Sequence, residues 1–582
     1  MNWRDLGAGD LRKEQVGQRH TLAGWVGRRR DHGGLVFVDL RDASGVSQLV
    51  INPERSPEAA AQAHEIRNEF VLQAEGEVVE RAPENVNPNL PTGEVELQVD
   101  RLEIVSRCPP LPFQLDEEGV DETLRLRYRW IDLRRARLQR NLRLRAQMVS
   151  IIRATMEEAG FLEIETPILF KPTPEGARDF VVPSRLQPGR FFALPQSPQI
   201  LKQLLVIAGF ERYFQIARCF RDEDLRADRV QELTQLDVEM AFPDVELIQA
   251  LMERMIITIW RECLGVELET PFPRLSYADS MLRYGSDKPD LRFDLEIRDL
   301  TEETRGSGFK VFGDAAAVRA LTVPQELSRA ELSELEERAK TWGAKGLAYV
   351  VYDESGEPRS PILKFLSEPE LEAIRAEPSS TVLFGADEPA VVARVLGALR
   401  SHLGEQLGLI APDEWRFVWV SDFPMFDWSE DDQRWAAVHH PFTRPTPESE
   451  ALVESDPGAA LAVAYDLIGN GEELGGGSVR IHESELQSKV FDVLQITPEQ
   501  QQDRFGFLLE ALKMGAPPHG GIAFGIDRML MVLAQEPNLR DTIAFPKNQA
   551  GVDPMSGAPT TVEDEQLAEL GIQVVAEPDD KS

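Results

Sequence analysis

The chain has 582 residues, 42% hydrophobic and 28% charged; at roughly 100 to 200 residues per domain this makes about three or four domains and excludes a small disulfide-stapled module. The formal charge of −36 repels phosphodiester backbones and, taken as a sum, argues against a nucleic-acid partner. The cysteines, Cys108, Cys219 and Cys263, lie far apart without a Cys-x-x-Cys, which speaks against disulfides and a thiolate zinc site. No apolar run reaches about 18 residues and no leader-like core follows Met1, so a cytoplasmic protein with no membrane partner is expected. The charge is uneven, however. Residues 1–50 hold eight Arg and Lys against six acids, and residues 121–160 hold ten arginines against five, so local basic patches survive the global deficit. Each patch equally fits an ordinary solvated face.

In chain order, residues 15–105 read as short alternating strands, such as 21–26 and 35–40, separated by glycine turns, the pattern of a small β-barrel. The proline-rich stretch 108–113 cannot continue a strand or a helix and sets the first boundary at 108. Leu142, Ala146, Val149, Ile152 and Met156 recur at spacings of three and four and predict a long amphipathic helix, stopped by Gly160 and followed by a strand from Phe161. Residues 161–290 mix strands and helices without regular alternation, which favours an α+β body on antiparallel strands. Residues 295–415 turn rich in Ala, Glu and Leu, with a helix at 327–340 and a strand at 346–352, and read as an inserted α+β domain. Strand signal resumes at 417–420. The division expected is 1–108, a hinge at 109–137, a body split into 138–294 and 416–560 around the insertion, and an acidic extension at 561–582.

Three elements carry chemistry. Arg221 to Glu223 close one strand, and in the next, side-chain period two puts Gln235, Asp237 and Glu239 on one face and Leu236, Val238 and Met240 on the other. A guanidinium beside carboxylates suits a ligand bearing phosphate and ammonium groups; an exposed sheet face laced with salt bridges has the same spacing. The second element, residues 520–530, is a glycine-rich strand entering an apolar helix with Arg528 on its first turn, where amides and dipole favour an anion. In the third, Gly475, Gly476 and Gly477 clear space for something bound, and Asp466 and Glu473 are oxygen ligands of the kind Mg²⁺ accepts beside phosphates; a bulge with solvent-exposed acids has the same pattern.

With Phe161 to Pro167 ahead of them, these elements resemble, in order, motifs 1, 2 and 3 of the class II aminoacyl-tRNA synthetases. The stretches 173–180, 196–203, 220–229 and 439–443 are similar to the bacterial-type aspartyl-tRNA synthetases, and the resemblance covers nearly the whole chain. It implies an N-terminal OB-fold barrel, an antiparallel-sheet catalytic domain, a homodimer about Pro167, and activation of L-aspartate with ATP and Mg²⁺ for transfer to tRNA-Asp. Carried over residue by residue, it gives Arg221 and Arg528 the catalytic roles of bridging carboxylate to α-phosphate and holding the γ-phosphate. Glu175, Gln199, Lys202, Arg221, Gln235, Asp237, His439, His440 and Arg480 would bind aspartate, with Glu175, Gln199, Gln235 and Asp237 at its ammonium or ordering the loop above it. Arg221, Asp222, Glu223, Gln231, Leu233, Glu473, Gly525, Ile526, Asp527 and Arg528 would bind ATP. Asp466 and Glu473 would hold the metal. On the barrel, Phe37 would stack the central anticodon base, Arg30 and Gln48 would contact base edges, and His32 would lie beside that reader; the arginines of 125–145 would become a hinge and tRNA-facing surface, with helix salt bridges as the alternative.

Two departures stand out. Where that family commonly has Gln-Pro-Glu-Phe, Arg229 is followed here by Val230, Gln231, Glu232 and Leu233, which replaces a stacking ring with an aliphatic contact. His32 stands where many relatives have leucine, which bears on whether tRNA-Asn is charged as well. A non-catalytic paralogue would have lost phosphate-handling residues, yet Arg221, Glu473 and Arg528 are all present.

Overall fold

The computed structural model describes residues 3–173 and 177–575, and the chain packs as two compact units, Met1–Val120 and Asp121–Ser582. In the first, β1 (Arg19–His32), β2 (Leu35–Arg41), β3 (Val46–Ile51), β4 (Val71–Glu80) and β5 (Val95–Ser106) close into a barrel of order β1-β2-β3-β5-β4. Alternation drives closure. Val36, Val38 and Leu40 enter the core while Leu35, Phe37 and Asp39 between them stay half-buried outside. Gly33 and Gly34, with φ of 59° and 84°, form the two-residue hairpin between β1 and β2 that the strands' twist favours.

The second unit is built on an eight-stranded sheet. The helix α1 (Ala136–Glu158) leads into β6 (Leu162–Glu163), followed by α2 (Gln199–Ile207), β7 (Arg212–Phe220), β8 (Glu232–Ala241), α3 (Val245–Leu264) and β9 (Arg274–Ser276). A second sheet intervenes, made of β10 (Ile297–Asp299), β11 (Ala317–Val323), β12 (Ala348–Tyr352), β13 (Pro358–Arg359) and β14 (Ser380–Asp387) in the order β10-β11-β14-β12-β13. It packs under α4 (Pro389–Gln406), whose Val392, Val395, Leu396, Leu399 and Leu403 join its core. The chain then returns with β15 (Phe417–Ser421), β16 (Ala464–Gly469), β17 (Glu472–Val479), β18 (His519–Gly525) and α5 (Ile526–Ala534). The large sheet runs β9-β15-β16-β17-β18-β8-β7-β6, antiparallel except at its outer pairs. Residues far apart in sequence meet at its centre, where β8 and β17 flank β18.

The helix α1 carries the expected periodicity with a corrected face. Met148, Ile151, Ile152 and Met156 are buried, but Ala146 is exposed. Asn141 and half-buried Arg145 occupy the inward positions that an apolar-only reading skips. They bond Glu536 and Asp527. The core beneath the sheet gathers Leu236, Val238 and Met240 with Met252, Ile256, Ile259 and Trp260 of α3. Asp244 caps that helix through Glu246 N at 3.0 Å, and Gly265 ends it at φ 70°, the left-handed stop that glycine favours.

Candidate active site

Two layers of side chains cover the face of β8 opposite the core. Gln235, Asp237 and Glu239 are 9%, 1% and 0% exposed, so the salt-bridged solvent face that the same spacing allowed is excluded. Buried carboxylates need partners, and both are cations. Lys202 Nζ, brought in by α2, lies 3.0 Å from Asp237 Oδ1 and 3.5 Å from Glu239 Oε2. Arg480, just past β17, donates Nε and Nη2 to the two Glu239 oxygens at 2.9 and 3.0 Å, the bidentate geometry a guanidinium fork suits. Burial opposes ionisation of Glu239, but the charges of Arg480 and Lys202 overcome it and hold its carboxyl below the usual range. Arg480 also donates to His440 Nε2 at 2.7 Å. His440 is kept neutral, well below its ordinary value, by burial and by that guanidinium. Its Nδ1 lies 3.2 Å from Phe442 N and 3.3 Å from Thr443 Oγ1.

Above this layer opens a cavity of about 700 Å³ lined by Arg221, Asp222, Glu223, Leu233, Gln235, Glu473, Gly525 and Arg528, among others. The volume falls within the range of small-ligand sites. Arg221 and Arg528 thus face one space, with Gln235 linking it to the buried layer along β8. The first turn of α5 positions Arg528, which donates Nη1 to Glu473 O at 3.0 Å. Glu473 sits in the cavity wall with its side chain about half exposed, and its carboxyl is pushed above the usual range by the surrounding wall and by the neighbouring charge of Asp466. Asp466 itself meets His439 Nε2 at 3.2 Å. The neighbouring carboxylates of Asp466 and Glu473 fit a cation-binding pair, although each also has a cationic or His partner nearby and no group of three or more His, Cys, Asp or Glu placed to hold a metal occurs among the described residues.

Several buried polar atoms of this face have no partner among the described residues: Gln199 Nε2, Asp237 Oδ2, His439 Nδ1 and Arg528 Nε. Orphans of this kind are costly unless a ligand completes them. One is an acceptor suited to ammonium, and two are certain donors suited to anionic oxygen.

Several expectations are corrected. Ile526 is fully buried in the hydrophobic core beneath the sheet, because the first turn of α5 points it away from the cavity. Asp527, by contrast, does line the cavity, with its carboxylate bonded to Arg145 and to Thr234 N at 2.7 Å, which pins α5 to α1 and β8. Gln231 lines a small adjoining pocket with Arg218 and Lys547 instead of the main cavity. His439 and His440 have different partners: His439 meets Asp466 and His440 meets Arg480. Two glycines of β17 are required by the neighbouring strand, since a Cβ on Gly475 would lie 2.7 Å from Ala523 O and on Gly477 2.4 Å from Gly521 O, whereas on Gly476 it would lie 2.6 Å from Asp466 Oδ1. At Gly525 a Cβ would meet only Arg528 Cβ, at 3.6 Å, so that glycine alone borders ligand space without a protein clash. Glu175 lies outside the described residues. Among the arginines of 125–145, Arg125, Arg129 and Arg145 are tied to Asp541, Asp132 and Asp527 as internal braces, and exposed Arg137 is tied to Glu536.

Sequence reasoning missed Arg178, whose backbone pairs with Asp222 and which lines the cavity. It also gave no site role to Glu239, although alternation placed it on the right face. On the barrel, Phe37 lies outside the core, beside Arg30, which donates to Asp39 at 2.8 Å. Gln48 Nε2 reaches Glu96 at 3.4 Å, and His32 is exposed at the end of β1. Arg81 was not foreseen there: its Nη2 is buried without a partner among the described residues, and its Nε lies 3.7 Å from Glu96.

Comparison with known proteins agrees with this geometry. The family described as tRNA synthetases class II (D, K and N) matches residues 121–549, and the OB-fold nucleic acid binding domain matches residues 20–105. The chain belongs to the class II tRNA synthetases. It is 51% identical to the aspartate-tRNA(Asp/Asn) ligase of Moorella thermoacetica, covering 98% of this chain and 97% of that protein. It is 48% identical to the aspartate-tRNA ligase of Staphylococcus carnosus, over 99% of this chain and 100% of that one. Among solved structures, asparaginyl-tRNA synthetase from Pyrococcus horikoshii complexed with asparaginyl-adenylate superposes with a TM-score of 0.60 at 18% identity, over 93% of this chain and 97% of that chain. This synthetase therefore shares its fold with enzymes whose sequences have diverged widely.

Proposed function

We propose that the chain is an aspartate-tRNA ligase, joining L-aspartate to ATP as an aspartyl adenylate and then esterifying the 3′ end of tRNA-Asp. One observation carries the reading: cationic donors stand at both ends of a single sheet face, Lys202 and Arg480 buried below and Arg221 and Arg528 in the cavity above. The reaction brings two anions together, so the protein's work is positioning and charge neutralisation. The attacking α-carboxylate is already ionised and needs no base; it attacks the α-phosphorus as pyrophosphate leaves. Arg221 bridges carboxylate and α-phosphate, Arg528 takes the γ-phosphate end, and Asp237 Oδ2 accepts from the substrate ammonium. Asp466 and Glu473 would hold Mg²⁺, which supplies charge neutralisation to the phosphates when bound.

Asparagine differs from aspartate by an NH₂ in place of an oxygen. Lys202 and Arg480 offer only donors, which leaves that NH₂ unmatched, and sites of this type reject the wrong ligand by about 10⁴-fold or more. We assign residues 1–108 to anticodon reading through Phe37, Arg30 and Gln48, residues 109–137 to a hinge, and residues 295–415 to an insertion in the catalytic domain. A cytoplasmic homodimer is proposed because Pro167, Ile168 and Leu169, beside motif 1, are exposed together; no helix among the described residues is long and apolar enough to cross a membrane.

Pyrophosphate exchange with each amino acid in turn tests the reading, and no signal with aspartate sinks it. A second reading, charging of tRNA-Asn as well, is favoured by exposed His32 and by relatives named aspartate-tRNA(Asp/Asn) ligase. Side-by-side aminoacylation of the two transcripts decides between them. Sedimentation that shows only monomer at micromolar concentration contradicts the dimer.

A further inference from the structure

Cys219 is the cysteine that composition left without a purpose. It lies near the end of β7, fully buried, diagonal to Gln235 across the β7–β8 pair, where Leu233 faces Cys219 and Ala217 faces Gln235. Its Sγ is 3.2 Å from Gln235 Oε1, within reach of an S–H···O hydrogen bond. Gln235 has one face in the cavity and the other against this thiol. An amide has two chemically opposite ends: Oε1 only accepts and Nε2 only donates. A neighbour that engages one end decides which end the cavity sees.

We propose that Cys219 is a positioning residue for the first reaction: its thiol donates to Gln235 Oε1 and so turns Gln235 Nε2 into the cavity as a donor for an anionic oxygen of the reacting carboxylate or α-phosphate. The inference rests on the proposed adenylate-forming site and changes the part Gln235 plays in it. A donor end cannot receive an ammonium group, so the substrate ammonium goes to Asp237 Oδ2, which is buried without another partner among the described residues. The two side chains, neighbours on one face of β8, then sort the two ends of the amino acid. Serine, a stronger donor of similar size, performs the same task at this position; valine fills the space but cannot donate.

The experiment uses the full-length protein in pyrophosphate exchange, with KM for aspartate, KM for ATP and kcat read separately, and with thermal melts alongside. Cys219→Ser is expected to keep the wild-type constants. Cys219→Val is expected to weaken kcat/KM by about 3- to 10-fold, the range of one neutral hydrogen bond, with an unchanged melt. Gln235→Met is expected to lose more, and Cys219→Val added to Gln235→Met is expected to lose nothing further, because the proposed positioning runs through the amide. Full additivity of the two losses overturns the proposal. So do wild-type constants for Cys219→Val, and so does an equal loss in the serine and valine variants, which marks a packing role. Failure of the proposed site itself reads differently: wild-type protein gives no aspartate-dependent exchange at all.

Discussion

The two ends of the active face are built on opposite principles. At the lower end, Lys202, Asp237, Glu239 and Arg480 are nearly inaccessible and bonded to one another before any ligand arrives. At the upper end, Arg221, Glu473 and Arg528 line an open cavity, and Glu473 and Arg528 are linked through a backbone carbonyl as much as through their charges, the side-chain separation being 3.9 Å. The difference teaches where rigidity is placed. Discriminating two nearly isosteric amino acids needs donors that cannot move, and buried ion pairs hold them at the cost of desolvation. Charge that develops along a polyphosphate is met by side chains with room to follow it.

Breaking the upper end costs chemistry. Arg221→Ala is expected to lower pyrophosphate exchange by about 10²- to 10³-fold, the loss typical of a donor aimed at developing charge, while denaturant midpoints stay near wild type. Arg528→Ala is expected to fall less, with a raised KM for ATP and an intact fold. Breaking the lower end costs stability first. Glu239→Gln leaves Arg480 and Lys202 short of a buried counter-charge and is expected to destabilise by about 3–5 kcal/mol in urea unfolding; wild-type stability in that variant contradicts the ion-pair lattice.

Acid sharpens the same contrast. Glu239 titrates below its ordinary value of 4.5 when folded, so its contribution is complete above that pH and is lost as pH falls through the folded value. The stability gap between wild type and Glu239→Gln should therefore narrow below about pH 4. A gap that widens there reverses the sign and rejects the assignment. The smallest effect lies outside this face. Phe37→Ala is expected to cost tRNA aminoacylation about 1 to 3 kcal/mol of stacking while sparing pyrophosphate exchange; equal damage to both reactions argues against an anticodon role.

Much of this face was legible before folding. Period two along residues 235–240 divided apolar from polar side chains correctly, and the motif resemblance named Lys202, Arg480 and Arg528 although α2, β17 and α5 are remote in sequence. What was illegible is instructive. Ile526 stands two residues from Arg528 in the chain, yet a helical turn sends it into the core while Asp527 and Arg528 line the cavity. The β17 glycines looked like space for a ligand, yet Gly475 and Gly477 are required by paired backbones and only Gly476 clears the carboxylates of Asp466 and Glu473. The arginines of 125–145 looked like an RNA surface, yet four of them have their carboxylates waiting within the fold.

By itself the sequence determined the elements, their buried faces and the chemical types available, because alternation, helical period and turn residues act over a few neighbours. Only the tertiary structure decided which charges would be spent on each other and which would stay open to a ligand. That choice depends on the desolvation of each group and on partners hundreds of residues away, and neither is encoded in local spacing.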